Sequence, residues 1–155
     1  MDPESRPTGT VAFLFTDIEG STEAWEATSD AMGAAVARLE DLLDDAATRG
    51  RRAVEQGAGD SAVLAFDRAS DAAAAALAIQ QAVAHEPWPT ARPLRLRVAL
   101  HLGEVETGRD GTYRGATMNL CGRLLAIAHG GQVVASGSFR SVLEESDGSA
   151  DGALA

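Results

Sequence analysis

Two aspartates in this chain stand where carboxylates can do chemistry. Asp17 follows the apolar run Ala12, Phe13, Leu14 and Phe15 in "AFLFTDIEGST" and precedes a glycine and two hydroxyls. Asp60 sits in "EQGAGDSAVLAF", in the turn before a second apolar run. A continuous apolar segment reads as a strand covered on both faces, so Asp17 is delivered to an edge at the strand's carboxyl end. Two readings are open there. In one, Asp17 or Ser21 caps the following helix, although with Ser21 as cap the third helical position is Ala24 and the glutamate of a capping box is missing. In the other, Asp17 is a metal ligand, because a carboxylate beside the free amides of a turn holds a hard cation and a phosphate together. For Asp60 the plain alternative is a Gly-Asp-Ser turn. Two bare carboxylates side by side repel until one protonates, and a pair of divalent cations removes that conflict. Such a pair suits two-metal phosphoryl or nucleotidyl transfer.

Whether the two aspartates meet depends on the elements around them. The first strand is expected over Val11 to Thr16. Met32, Val36, Leu39, Leu42 and Leu43 then recur at helical spacing, with Gly50 as a stop signal. "RRAVEQGAGDSAVLAF" predicts a hairpin whose second strand runs from Ala62 to Phe66. An alanine-rich helix follows, with Asp67 or Ser70 as possible caps, small residues suited to close packing on a sheet, and "PWPTARP" as its end. Leu94, Leu96, Val98, Leu100 and Leu102 alternate with Arg95, Arg97, Ala99 and His101, which predicts a long strand with one more polar face. Asp110-Gly111 marks a turn, "ATMNLCGRLLAIAHGG" a helix closed by Gly130-Gly131, "QVVAS" a short strand and "GSFRSVLEE" a last short helix. The order β-α-β-β-α-β-α-β predicts an α+β fold: a ferredoxin-like (split βαβ), antiparallel-rich sheet with helices packed on it and an added strand and helix. In such a sheet the first strand and the hairpin are central neighbours, which places Asp17 and Asp60 together at one end.

The totals narrow the field further. A chain of 155 residues with 45% hydrophobic and 23% charged residues has the size and composition of one globular domain, expected over residues 11–145. Residues 1–10 are expected to be a disordered lead-in and 146–155 a loop or truncated tail. No stretch is long and apolar enough for a bilayer and nothing resembles a signal peptide, so a cytoplasmic protein without membrane contact is expected. A formal charge of -10 argues against binding a nucleic-acid backbone, but free nucleotides remain open because a bound divalent metal inverts the local sign. All 13 basic residues are arginines. Cys121 is the only cysteine, so it forms no internal disulfide and reads as a small packed hydrophobe. His85, His101 and His129 lack the spacing of a zinc site and read as surface or partly buried imidazoles, and Trp25 and Trp88 as packing residues.

"FLFTDIEGST", "GAGDSAVLAF", "LRLRVALHLGEVE" and "TYRGATMNLCGRL", in that order and at these intervals, resemble the class III adenylyl/guanylyl cyclase catalytic domain from about Val11 to Glu144. The resemblance implies an enzyme that converts a nucleoside triphosphate to a 3′,5′-cyclic nucleotide and pyrophosphate. It implies two Mg²⁺ or Mn²⁺ ions per site, held by Asp17 and Asp60 with help from the Ile18 carbonyl. The backbone of Glu19, Gly20, Ser21 and Thr22 would cradle the triphosphate. Asn119 would position the ribose and Arg123 would contact phosphate and stabilise the transition state; four residues apart, the two share a helix face. In that family the metal pair and the Asn/Arg pair of one site come from different chains, which implies a homodimer, and such domains are often part of a larger regulatory chain.

The sequence also departs from the pattern. Gln56 stands where adenylyl cyclases carry a base-reading lysine, and Thr112 where its aspartate partner falls. An amide can flip and a hydroxyl both donates and accepts, so weak base selectivity between ATP and GTP is expected. Ala58 replaces a usual threonine, and the family's terminal strands with their phosphate-contacting lysine lie beyond residue 155 or are missing. Two rival functions stay open: a nucleotide-sensing or dimerisation module that has lost catalysis, and a haloacid-dehalogenase-like phosphatase suggested by "FTDIEGST". The phosphatase lacks its second aspartate, since Glu19 stands there, and lacks the alternating β-α order of a parallel sheet.

Overall fold

The computed structural model describes residues 6–52 and 60–146. A ten-residue strand, β1 (Gly9–Ile18), forms the centre of the sheet. It is followed by α1 (Ser21–Ala27) and α2 (Ser29–Ala46), the short β2 (Arg51–Arg52) and β3 (Ala62–Phe66), then α3 (Ala69–His85) and the long β4 (Leu96–Thr107). The two-residue β5 (Tyr113–Arg114), α4 (Ala116–Ile127), β6 (Val133–Ala135) and α5 (Gly137–Ser146) complete the described chain. Strand order is β2-β3-β1-β4-β5, with β6 alongside β4. β1 is antiparallel to both β3 and β4, and β6 is parallel to β4. The expected mixed α+β sheet with interleaved split βαβ crossovers is therefore present.

Alternation along β1 divides the core. Ala12, Leu14 and Ile18 face a large cluster closed by Met32, Leu39 and Leu43 of α2, the alanines, Ile79 and Val83 of α3, and Phe139 and Leu143 of α5. Val11 and Phe13 face the other side, with Val63, Ala65, Tyr113 and Cys121 of α4. The alanines of α3 let a helix lie close against the strands, since Ala72, Ala73, Ala75 and Ala76 are all buried.

Several boundaries differ from the sequence reading. Contacts begin before residue 10: Arg6 is buried and donates to the Gly111 carbonyl at 2.6 Å, Pro7 accepts from the Tyr113 hydroxyl at 2.8 Å, and Gly9 and Thr10 pair with Val105 and Glu104. The first helical region is broken at Thr28, whose φ of -151° ends α1 and begins α2. Neither Asp17 nor Ser21 caps α1; the N-cap is Gly20. Asp67 and Ser70 do not cap α3 either, because Arg68 holds that position. Gly50 lies beyond the end of α2, and its bare Cα is required by the Phe66 ring, which an added Cβ would meet at 2.6 Å. Trp25 is not a packing residue within the chain: it is 38% exposed on a helix with no buried residue. Trp88 does pack against the large cluster, with its indole donating to the Val83 carbonyl. Among the described residues no helix is long and apolar enough to cross a membrane.

Candidate functional site

Asp17 is the last residue but one of β1 and shares its face with Val11, Phe13 and Phe15, the side covered by α4. Directly across the β1–β4 ladder stands Arg97. Its guanidinium grips the carboxylate with two bonds, Nε to Oδ1 at 2.6 Å and Nη2 to Oδ2, and that hydrogen bonding raises the arginine's pKa against the cost of burial. Fork-to-fork pairing of this kind fixes the carboxylate's direction as well as its charge. Sequence reading missed Arg97, although the polar face of "LRLRVALH" carried the signal.

Asp60 lies in the turn leading into β3. The β1–β3 register ends at Thr16 opposite Ala62, so continuing it sets Ser61 against Asp17 and Asp60 against Ile18. Both aspartates therefore occupy the same sheet end. Oδ2 of Asp60 is enclosed and has no hydrogen-bond partner among the described residues. An enclosed carboxylate oxygen without a donor costs about 1–3 kcal/mol or more, and a cation is the group that most directly relieves it. The residues present thus fit a divalent ion: oxygen-only donors, one of them orphaned. Among the described residues no group of three or more His, Cys, Asp or Glu side chains forms a ready-made cage.

The turn between β1 and α1 is held by backbone geometry. Gly20 sits in the left-handed region at φ 67°, which a glycine adopts without strain, and starts α1 without a side-chain cap. Ile18 is buried, while Glu19 and Gly20 are exposed. The Glu19 side chain is engaged elsewhere, accepting from the Gly130 amide at 3.1 Å. A cavity of about 1100 Å³ lies against the same turn, but Ile18, Leu94, Leu96 and Val83 line it, on the side of the large core cluster, and neither aspartate does.

On α4, Cys121 is the buried residue, and burial in apolar surroundings pushes its thiol up to about 12. Asn119 and Arg123 are both exposed. At about 100° per residue they lie about 40° apart and each about 160° from Cys121, so they point away from the sheet on which their own helix packs. Thr112 precedes β5, and both its amide and its hydroxyl donate to Asp110 Oδ1, at 3.1 and 2.7 Å, bonds that hold the Asp110 carboxyl below its usual range. In this arrangement the Thr112 hydroxyl spends its proton on Asp110. Gln56 and Ala58 lie outside the described residues.

The family model for the adenylate and guanylate cyclase catalytic domain matches residues 4–152. This chain belongs to that family. Among its relatives, an uncharacterized protein of Mycobacterium tuberculosis is 46% identical over 132 residues, covering 84% of this chain and 44% of the relative. An adenylate cyclase of Podospora anserina is 29% identical over 86% of this chain and 7% of its own length. The cyclase domain thus spans under half of these curated relatives. A solved adenylate cyclase structure from Trypanosoma brucei, in its monomeric state, superposes with a TM-score of 0.77 at 26% identity, covering 88% of this chain and 77% of that one. The cyclase catalytic fold and the family membership stand on these matches together with the sheet order above.

Proposed function

We propose that this domain is a metal-dependent nucleotidyl cyclase that converts ATP, and GTP less readily, to the 3′,5′-cyclic nucleotide and pyrophosphate, working as a homodimer with two shared sites. The observation that carries the reading is the Oδ2 of Asp60, enclosed and without a partner among the described residues, at the sheet end where Asp17 also lies. Asp17, Asp60 and the Ile18 carbonyl would hold Mg²⁺ or Mn²⁺, two per site. Such ions, when bound, make the ribose 3′-hydroxyl more acidic and neutralise phosphate charge.

The chain's own groups do the rest. The backbone of Glu19 to Thr22 receives phosphate oxygens. Arg97 cannot keep both bonds to Asp17 unchanged once that carboxylate serves a cation, and its guanidinium is then available beside the triphosphate. Asn119 of the other chain orients the ribose. Arg123 donates to the α-phosphate oxygens as the 3′-oxygen, its proton passed to solvent, bonds to phosphorus and the bridging oxygen leaves with pyrophosphate, where charge-directed donors stabilise most. The exposed Leu120 and Ile127 beside this pair on α4 support burial of that helix against a second copy. With its proton held by Asp110, Thr112 offers lone pairs, which suit the adenine amino group better than the guanine carbonyl. Gln56 adapts to either base, so the preference for ATP stays below about a hundredfold.

A second reading is favoured by one observation, the doubly bonded Asp17–Arg97 pair, which neutralises a metal carboxylate without a metal. A domain resting in that state would be a nucleotide-sensing or dimerisation module of a larger regulator. Incubation with Mn²⁺ and ATP or GTP, with the products separated by chromatography, decides between them. Cyclic nucleotide from ATP at the higher rate is expected; no product from either substrate gives the second reading the field.

A further inference from the structure

Glu19 is exposed beside the phosphate turn, yet its carboxylate is turned to a loop 111 residues away in sequence. Oε1 accepts from the Gly130 amide at 3.1 Å, and the Glu19 amide donates to the Arg95 carbonyl at 2.9 Å. Gly130 has no room for a side chain: an added Cβ would collide with Glu19 Oε2 and would meet Arg95 Cβ at 2.6 Å. The same loop is pinned from other directions. Gly131 donates to the Leu96 carbonyl at 2.8 Å, Gln132 Oε1 accepts from the His129 amide at 2.9 Å, and Gln80 of α3 bonds both the Leu96 and Gln132 carbonyls. This loop begins where α4 ends, at Ala128, whose amide still bonds the Leu125 carbonyl. The end of β1, the start of β4 and the loop after α4 thus form one polar joint, to which Glu19 contributes a carboxylate from the turn.

We propose that Glu19 is a positioning residue that ties the phosphate-binding turn of one active site to helix α4, and through α4 to the Asn119 and Arg123 that serve the partner's site. The inference rests on the shared-site reading above. It makes the two sites of the dimer mechanically linked: loading one turn with triphosphate shifts the helix that completes the other. The Glu19–Gly130 bond is the direct side-chain contact between the turn and this loop, and the loop runs straight back into the last turn of α4.

Mixed dimers test it. In a heterodimer of Asp17→Ala and Arg123→Ala chains, the one live site uses the phosphate turn of the Arg123→Ala chain and helix α4 of the Asp17→Ala chain. Glu19→Ala is then added to the Asp17→Ala chain, where it lies in the dead site's turn but on the live site's α4. The expected result is a several-fold lower kcat at the live site with KM little changed, while Glu19→Gln, which keeps an acceptor oxygen, restores most of the rate. Glu19→Ala on the Arg123→Ala chain should instead raise KM. Recovered activity indifferent to Glu19→Ala on the Asp17→Ala chain overturns the link and leaves the shared site intact, whereas no recovered activity in the parent heterodimer overturns the shared site itself. Hydrogen exchange gives a readout without turnover: Glu19→Ala should speed exchange at the amides of residues 124–128, and unchanged protection there overturns the link.

Discussion

Asp17 and Asp60 occupy one sheet end in opposite electrostatic conditions. Asp17 is satisfied by Arg97, while Asp60 encloses an oxygen with no donor among the described residues. Replacement of either by alanine should abolish cyclisation, because each deletes a proposed ligand, but their effects on stability should differ. Asp60→Ala removes an unsatisfied acceptor and should leave stability within about 1 kcal/mol of wild type or raise it. Asp17→Ala strands the guanidinium of Arg97 and should lower it. Turnover retained in either variant with metal still required would contradict the ligand assignment. Arg97 itself competes for the lone pairs of Asp17, so Arg97→Gln should tighten Mn²⁺ binding several-fold in calorimetry without nucleotide, even as it slows turnover. Weaker or unchanged binding would mean that the ion pair and the cation do not contend for one carboxylate.

At the scale of elements, close approach and burial decide which positions tolerate change. Gly50 meets the buried Phe66 ring, which cannot swing away, so Gly50→Ala should cost roughly 1–3 kcal/mol of overpacking, seen as a fall of several degrees in Tm. A Tm within a degree of wild type would show that the hairpin and α2 can part without penalty. His101 joins β4 to the segment leading into α5 through Ser136 Oγ at 2.6 Å, and burial pushes its imidazole below the usual range. In the folded chain it stays neutral where the unfolded chain, titrating near 6.5, takes up a proton. The unfolded state then binds more protons, so this contribution to stability is present above about pH 6.5 and is lost as the pH falls through that value toward the lowered folded pKa. Urea midpoints at pH 7.5 and 5.5 should diverge more for wild type than for His101→Gln; equal divergence would assign the pH dependence to the carboxylates.

For the whole molecule, the outward direction of Asn119 and Arg123 makes the strongest demand. Asp17→Ala and Arg123→Ala should each be inactive alone. Mixed in equal amounts and allowed to exchange, half of the dimers become heterodimers, each with one intact and one doubly damaged site, and activity should recover to roughly a quarter of wild type. A site built within one chain would recover nothing, since each chain keeps its own lesion. Mass measurement of the exchanged dimers separates failed exchange from a failed model.

The strand-end position of Asp17, the hairpin carrying Asp60, the shared face of Asn119 and Arg123 and the split βαβ order were all legible in the sequence, because each rests on local periodicity or on a spacing of a few residues. Helix caps were read less well: Gly20 and Arg68 hold positions assigned to Ser21, Asp67 or Ser70, since hydroxyl and carboxylate side chains near a helix start compete on equal local terms. Strand β5 and the docking of Arg6 and Pro7 onto the Gly111–Tyr113 turn left no periodic trace, being too short or held by partners about a hundred residues away. The grip of Arg97 on Asp17 and the reach of Glu19 to Gly130 join segments 80 and 111 residues apart. Composition and spacing could nominate an arginine on a polar strand face, but only antiparallel register put it opposite one particular aspartate, and only the packed sheet end brought the Gly130 amide within reach of a glutamate on another strand's turn.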